Sequence, residues 1–210
     1  MGLSGVTVWL TALRAQNALP TRMLLPPVPQ ADLSALARFE RITLTPEMID
    51  LFATVTGYNP IAVAFEAARY TGPPHIVSEM PLYPYHSPIP FHDVASHIQF
   101  WRDILAPDDE DYIGRGFVPF GQEHNGEYLF VNADAASPTY GAVYQMWEGF
   151  GSAQRAASLP AYFAGLTRML DLGVLFIDQW GRIGVNPEDY TYHWRREVGQ
   201  FKSEDGTRDW

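Results

Sequence analysis

Histidines and carboxylates near the middle of the chain are the residues best suited to acid–base or metal chemistry. His86, His92 and His97 lie close to Asp93 along the sequence, and imidazole nitrogens are common metal ligands. Their spacing matches neither His-Glu-x-x-His nor a histidine pair four residues apart on one helix face. We therefore expect surface or partly hydrogen-bonded histidines, with no metal site and no other cofactor.

The segment 123–127, Glu-His-Asn-Gly-Glu, is the most polar stretch beside the predicted strands. Its two carboxylates and histidine could transfer protons, but a general acid and a general base need environments that separate their pKa values. A glycine-containing loop leaves both carboxylates in water, so a turn between strands is the expected role. The sequence also contains no Walker-type loop and no Gly-x-Ser-x-Gly. The chain is therefore predicted not to be an enzyme.

Composition excludes several other chemistries. The 210 residues contain no cysteine, which excludes disulfides, thiolate catalysis and cysteine-ligated metal sites. With 14 Lys and Arg against 24 Asp and Glu, the formal net charge is -10, and such acidity repels nucleic-acid phosphates. No nucleic-acid partner is expected, whereas a basic protein would be attracted.

The lengths and flanking residues of the apolar segments indicate the cellular compartment of the protein. No stretch reaches the roughly 20 apolar residues that a transmembrane helix needs. The mildly apolar residues 5–13 follow no Lys or Arg, so they lack the basic start of an export signal. We therefore expect a cytoplasmic protein without a membrane partner.

Capping residues and apolar spacing predict the elements that position these side chains. Helices are expected at 32–40, 45–57, 59–70, 93–105 and 158–173, and Thr45-Pro46 is a typical helix start. Strands are expected at 117–120, 128–132, 142–147 and 174–177. Because the loop 134–141 joins the second and third strands, they form an antiparallel pair. The predicted fold is α+β, an antiparallel β-sheet meander packed against several α-helices.

The chain divides into three parts by sequence pattern. Residues 1–30 are predicted to be an N-terminal extension, because a short amphipathic segment leads into a proline-rich connector at 24–29. Residues 31–175 contain the predicted helices and strands and form the expected domain. Residues 176–210 are predicted to be a C-terminal extension.

Three motifs follow one another in a recognisable order. The first is a helix with Arg38-Phe39-Glu40 followed by Leu44-Thr45-Pro46 and a second helix. The second is Phe117-Val118-Pro119-Phe120-Gly121 followed by Gly126-Glu127-Tyr128-Leu129-Phe130-Val131-Asn132. The third is Gly141-Ala142-Val143-Tyr144 with Trp147, and then the helix 159–166. Over residues 32–172 this order resembles the SUKH superfamily, specifically its Smi/Knr-type members. The chain departs from that pattern after the second helix, where 56–60 and an inserted helical segment replace an Asn-Gly-Gly turn.

The resemblance implies a protein that acts by binding. Bacterial members of the superfamily are typically immunity proteins, which bind a toxin domain and block it in the producing cell. We therefore expect an immunity protein for a polymorphic or contact-delivered toxin, with a basic and possibly nuclease toxin domain as partner. The alternative is a regulatory or scaffold domain of the same family without a toxin.

Acidic and aromatic side chains in loops are the candidate contacts with such a partner. The acidic run 108–111 would attract a basic surface, although a solvated loop after a helix is the simpler interpretation. The candidate partner-binding residues are Asp108, Asp109, Glu110, Asp111, Tyr112, Glu123, Glu127, Asp134 and Tyr140.

Overall fold

A computed structural model describes residues 4–72, 80–104, 116–123, 126–147 and 151–197. Its helices are α1 (Gly5–Ala15), α2 (Gln30–Glu40), α3 (Pro46–Thr54), α4 (Pro60–Arg69), α5 (Val94–Ile104), α6 (Leu159–Asp171) and α7 (Pro187–Glu197). Its strands are β1 (Ser87–Pro88), β2 (Phe117–Gln122), β3 (Tyr128–Asn132), β4 (Val143–Trp147), β5 (Gly151–Ala156), β6 (Leu175–Ile177) and β7 (Ile183–Val185). The predicted α+β class is confirmed.

The main sheet is an antiparallel meander with strand order β1-β2-β3-β4-β5, and β6 pairs with β7 in a second, two-stranded sheet. Strand β5 was not predicted, because Gly-Ser-Ala-Gln-Arg-Ala contains no strong β-former. Val143 pairs with Ala156 while Tyr144 pairs with Gln154. Arg155 is therefore the extra residue of a β-bulge, a device that redirects a side chain.

Side-chain caps explain where the helices begin. The Thr45 hydroxyl accepts the Met48 N–H at 3.2 Å, and the Ser158 hydroxyl accepts the Ala161 N–H at 3.3 Å. Asn59 caps α4 in the same way, and proline follows each of these caps. The proline occupies a position whose N–H has no partner within the helix, so it costs nothing there. The three predicted helix starts are confirmed.

The main sheet packs on both faces. On its inner face, Leu129 and Val131 belong to the main core together with buried side chains of α1, α3 and α6. On its outer face, Phe130 packs against Trp101 of α5, with ring centroids 6.1 Å apart. The alternation along β3 is the period-two pattern of a strand buried on both sides.

Both predicted extensions contribute to the main core. Helix α1 buries Val6, Trp9, Leu10 and Leu13, and residues of β6, β7 and α7 join the same cluster. The proline-rich connector is also held in place, since the Leu25 N–H donates to the Gly57 carbonyl at 2.9 Å. The apolar stripe of α1 is short, and its burial depends on α6, which lies more than a hundred residues later in the sequence.

Within the described ranges, none of the helices combines the length and the apolar character needed to cross a bilayer.

Candidate functional site

The described candidate residues fall at opposite ends of one strand. Glu123 and Glu127 flank the turn between β2 and β3, whereas Asp134 and Tyr140 lie in the loop after β3. The strand rise separates the two groups by about 20 Å. Asp108, Asp109, Glu110, Asp111 and Tyr112 lie outside the described residues. The structure therefore presents two separate polar regions.

The loop 134–141 is held by a buried asparagine. The Asn132 amide donates to the Ser137 hydroxyl at 2.8 Å and to the Thr139 hydroxyl at 3.0 Å, and its carbonyl accepts the Asp134 N–H at 3.0 Å. The side chain has no exposed surface. Because these three bonds join one buried side chain to three residues of the loop, Asn132 stabilises the loop conformation.

Tyr140 stands at the end of this loop beside α3. Its hydroxyl donates to the Thr43 carbonyl at 2.9 Å, while its ring remains partly exposed. Partial burial and the negative charge of Glu47 raise the pKa of Tyr140. The ring therefore lies near the Glu47 carboxylate, and Asp134 is on the same loop. We call Glu47, Asp134 and Tyr140 the Tyr140 surface.

Replacing Asn132 should loosen this loop. We expect Asn132→Ala to lower the free energy of unfolding by about 2 kcal/mol, because it removes three hydrogen bonds from a buried site. Ser137→Ala is the matched control, since it retains the Asn132 bonds to Thr139 and Asp134 and should cost about 1 kcal/mol or less. Urea denaturation measures both. Equal losses in the two variants would contradict the central role of Asn132.

At the start of β3, a group of polar side chains lies on the inner face of the sheet. We call this group the His86 cluster, and its members are His86, Glu123, Glu127, Gln145 and Arg155. The Gln145 amide donates to Glu127 Oε2 at 3.0 Å, and Arg155 Nε donates to Gln145 Oε1 at 2.8 Å. The β-bulge in β5 directs Arg155 to this chain of hydrogen bonds.

Sheet register explains how His86 and the two glutamates meet. Ser87 pairs with Gln122, and Gln122 pairs with Tyr128. The next cross-strand row therefore contains His86, Glu123 and Glu127. One ligand atom from each of these residues lies within 4.8 Å of the others, so the three could hold a metal ion.

Burial determines the electrostatics of this cluster. His86 is 2% exposed, and burial lowers the pKa of its imidazole to about 4. The nearby Arg155 charge lowers this pKa further, whereas the hydrogen bond to the Pro84 carbonyl opposes the shift. Burial also raises the pKa of Tyr190, on α7, to about 12. At neutral pH the cluster therefore contains a neutral imidazole.

The grouping of histidines suggested by the sequence is not the one that the fold produces. His92 Nε2 lies 3.5 Å from Asp93 Oδ2, with a side chain that is 75% exposed. His97 Nδ1 lies 3.3 Å from the Tyr128 hydroxyl. Neither belongs to the group with His86. Sequence reasoning missed the partnership of His86 with 123 and 127, because the two-residue strand β1 gives no pattern of its own.

A separate polar cleft lies away from both regions. It has a volume of about 410 Å³ and is lined by residues that include Arg22, Glu66, Tyr70, Asp178 and Trp180. Arg22 and Glu66 approach to 3.9 Å across it. Asp178 binds the Arg182 guanidinium at 2.6 Å and accepts two backbone N–H groups of its own turn. These carboxylates stabilise the local structure.

The fold and these regions define an α+β protein whose antiparallel meander carries an acidic, aromatic surface at one end and an imidazole–carboxylate cluster at the other. Comparison of the sequence with protein-family models and with curated proteins found no match. The SUKH resemblance therefore rests on the three motifs, which lie on α2–α3, β2–β3 and β4–α6.

Proposed function

We propose that the protein is an immunity protein that binds a basic toxin domain and blocks it by covering its functional surface, without catalysis. The observation that carries the proposal is the Tyr140 surface, a hydrogen-bonded loop that presents an aromatic ring beside the Glu47 carboxylate and also carries Asp134. The order of the SUKH-like motifs supports the same function.

Rigidity makes Tyr140 a suitable anchor for a protein partner. Ordering side chains and loops on binding makes the binding free energy less favourable. A loop that is already ordered in the free protein avoids that cost. The buried Asn132 side chain holds the loop by hydrogen bonds, and the hydroxyl of Tyr140 donates to the Thr43 carbonyl. The ring therefore offers apolar contact area at little entropic cost, as tyrosines do in many interface hot spots.

The charges around Tyr140 suit a cationic partner. Glu47 is exposed in the first turn of α3, and Asp134 is half-buried on the loop. The whole chain carries a net charge of -10, so a basic toxin domain would be steered toward it over long range. Charges of this kind mainly raise the association rate and select the partner, while the aromatic anchor supplies affinity.

The proposal expects a toxin domain to be encoded next to this gene, and co-expression with the neighbouring gene product tests it. We expect rescue of growth and a stable complex on gel filtration. Tyr140→Ala should weaken binding by about 2 kcal/mol, the threshold of a hot-spot residue. Tyr85→Ala is the matched control, because Tyr85 is 47% exposed and lies beside Tyr190 at the other region.

The carboxylates are tested by neutral isosteres. Glu47→Gln with Asp134→Asn should lower the association rate and its dependence on salt, while leaving the dissociation rate close to that of the native protein. Surface plasmon resonance at two salt concentrations measures both rates.

If neither rescue nor a complex is observed, the proposal fails and the regulatory or scaffold function is favoured. A complex that Tyr140→Ala leaves intact would exclude this surface.

A further inference from the structure

The His86 imidazole has one nitrogen whose partner is not found among the described residues. Nδ1 lies 2.8 Å from the Pro84 carbonyl, so it carries the proton and donates. Nε2 then carries the lone pair, yet this buried atom has no hydrogen-bond donor within the described parts of the chain. Buried polar atoms nearly always have a partner, which can be a protein group, an ordered water or a bound ion.

The two glutamates bring negative charge close to the imidazole ring. One carboxylate oxygen each from Glu123 and Glu127 lies within 4.8 Å of a ring nitrogen of His86 and of the other. The turn holds them in register, since the Glu123 N–H donates to the Glu127 carbonyl at 2.8 Å. Among Glu123, Glu127 and Arg155, two carboxylates stand against one guanidinium, and this balance suits a cation.

The hydrogen bonds made by His86 and Glu127 are of the kind that orients metal ligands in proteins. Metal-binding histidines usually donate their other N–H to a carbonyl or carboxylate, which fixes the tautomer and the ring orientation. His86 does this with Pro84, and the Gln145 amide holds Glu127 Oε2 at 3.0 Å. Gly121 lets the imidazole lie against β2, because a Cβ there would stand 3.3 Å from the His86 Cβ.

We propose that His86 Nε2 and one carboxylate oxygen each of Glu123 and Glu127 bind a divalent transition-metal ion such as zinc, which commonly takes histidine nitrogen and carboxylate oxygen as ligands. Nitrogen and carboxylate ligands lie about 2.1 Å from zinc, so the ligand atoms of a bound ion stand about 3–4 Å apart. The proposal therefore requires the two glutamate side chains to move inward from a separation of up to 4.8 Å. An imidazole ligand disfavours Mg²⁺ and Ca²⁺, which prefer oxygen atoms. Three protein ligands leave a coordination position for water or for an anionic group of a ligand.

This site is independent of the proposed immunity function. The two regions lie at opposite ends of β3. In the toxin test, the variants expected to weaken binding are all on the Tyr140 surface, and Tyr85→Ala is only its control. Metal binding is measured on the isolated protein. Failure of one proposal therefore leaves the other standing.

Isothermal titration of the full chain with zinc chloride tests the site, using protein without a polyhistidine tag after chelator treatment and dialysis. We expect a single Zn²⁺ per chain and a rise in melting temperature on binding. His86→Gln, Glu123→Gln and Glu127→Gln should each weaken binding at least about tenfold. His92→Gln is the matched control, because His92 is exposed beside Asp93, and it should bind zinc as the native chain does.

Cobalt provides a second measurement. Co²⁺ bound by the native protein should give visible absorption bands that Zn²⁺ abolishes, and Glu123→Gln should lose them. If His86→Gln fails to fold, as shown by circular dichroism, Glu123→Gln still decides the outcome, because Glu123 is half-exposed at the turn. The proposal is overturned if the native chain binds no zinc, if Glu123→Gln binds it as tightly, or if His92→Gln is the variant that loses it.

Discussion

Trp9→Ala should lower the free energy of unfolding by about 3–5 kcal/mol, the cost of deleting a fully buried tryptophan. Trp9 has no exposed surface, and its indole N–H donates to the Leu82 carbonyl at 3.3 Å. The substitution therefore opens a cavity between α1 and the core and leaves the Leu82 carbonyl without that donor. For a chain of this length the melting temperature should fall by about 10 °C.

Two variants of the same helix separate the causes of this loss. Val8→Ala changes the neighbouring residue, which is 39% exposed, and should cost no more than about 0.5 kcal/mol. Trp9→Phe keeps much of the apolar volume but loses the indole N–H, so we expect about 1–2 kcal/mol. Guanidinium denaturation followed by circular dichroism measures all three, because tryptophan fluorescence changes with the substitution itself. If Trp9→Ala costs no more than Val8→Ala, α1 is a separable extension.

Helices with a local start signal were predictable from the sequence. Thr45 and Asn59 each directly precede a proline, Ser158 lies two residues before Pro160, and the three caps depend on the next three residues only. Helices α1 and α7 have weaker patterns, since the apolar face of α1 is short and α7 is mostly polar. Their burial depends on packing against α6, and such long-range contacts leave little signal in a local window.

The sequence indicated some residues of the His86 cluster, but it did not indicate which residues the fold brings together. Spacing singled out Glu123 and Glu127 as a polar pair, and the hairpin between β2 and β3 does bring them together. His86 joins them through the pairing of Ser87 with Gln122, in a strand of two residues. A strand of two residues is too short to show the alternation of apolar and polar residues by which strands are predicted. Arg155 reaches the cluster only through a bulge, which depends on strand register.

The glutamate of the first SUKH-like motif lies in an unusual environment. The side chain of Glu40, at the end of α2, is 2% exposed, and its Oε2 lies 2.6 Å from Arg102 Nη1 of α5. The contact is an ion pair by distance, and the approach does not have hydrogen-bond geometry. It joins α2 to the helix that covers the outer face of the sheet. A buried carboxylate depends on such a cation for its charge.

Arg102→Met should therefore lower the free energy of unfolding by about 3 kcal/mol, the lower end of the cost of leaving a buried charge unpaired. The lower end applies because the Arg102 side chain is 41% exposed, and water already screens part of the attraction. Glu40→Gln removes the charge that needs a partner and should cost about 1 kcal/mol. The asymmetry between the two variants identifies the buried carboxylate as the source of the loss.

The double variant Glu40→Met with Arg102→Met completes the cycle. It removes both charges and fills the space with apolar atoms, so it should be more stable than Arg102→Met alone, because replacing a whole buried pair is often close to neutral. Urea denaturation of all four proteins gives the coupling free energy. An Arg102→Met variant that loses no more than Glu40→Gln would show that Glu40 does not depend on Arg102. A large coupling instead assigns the glutamate of the first motif to holding α2 and α5 together.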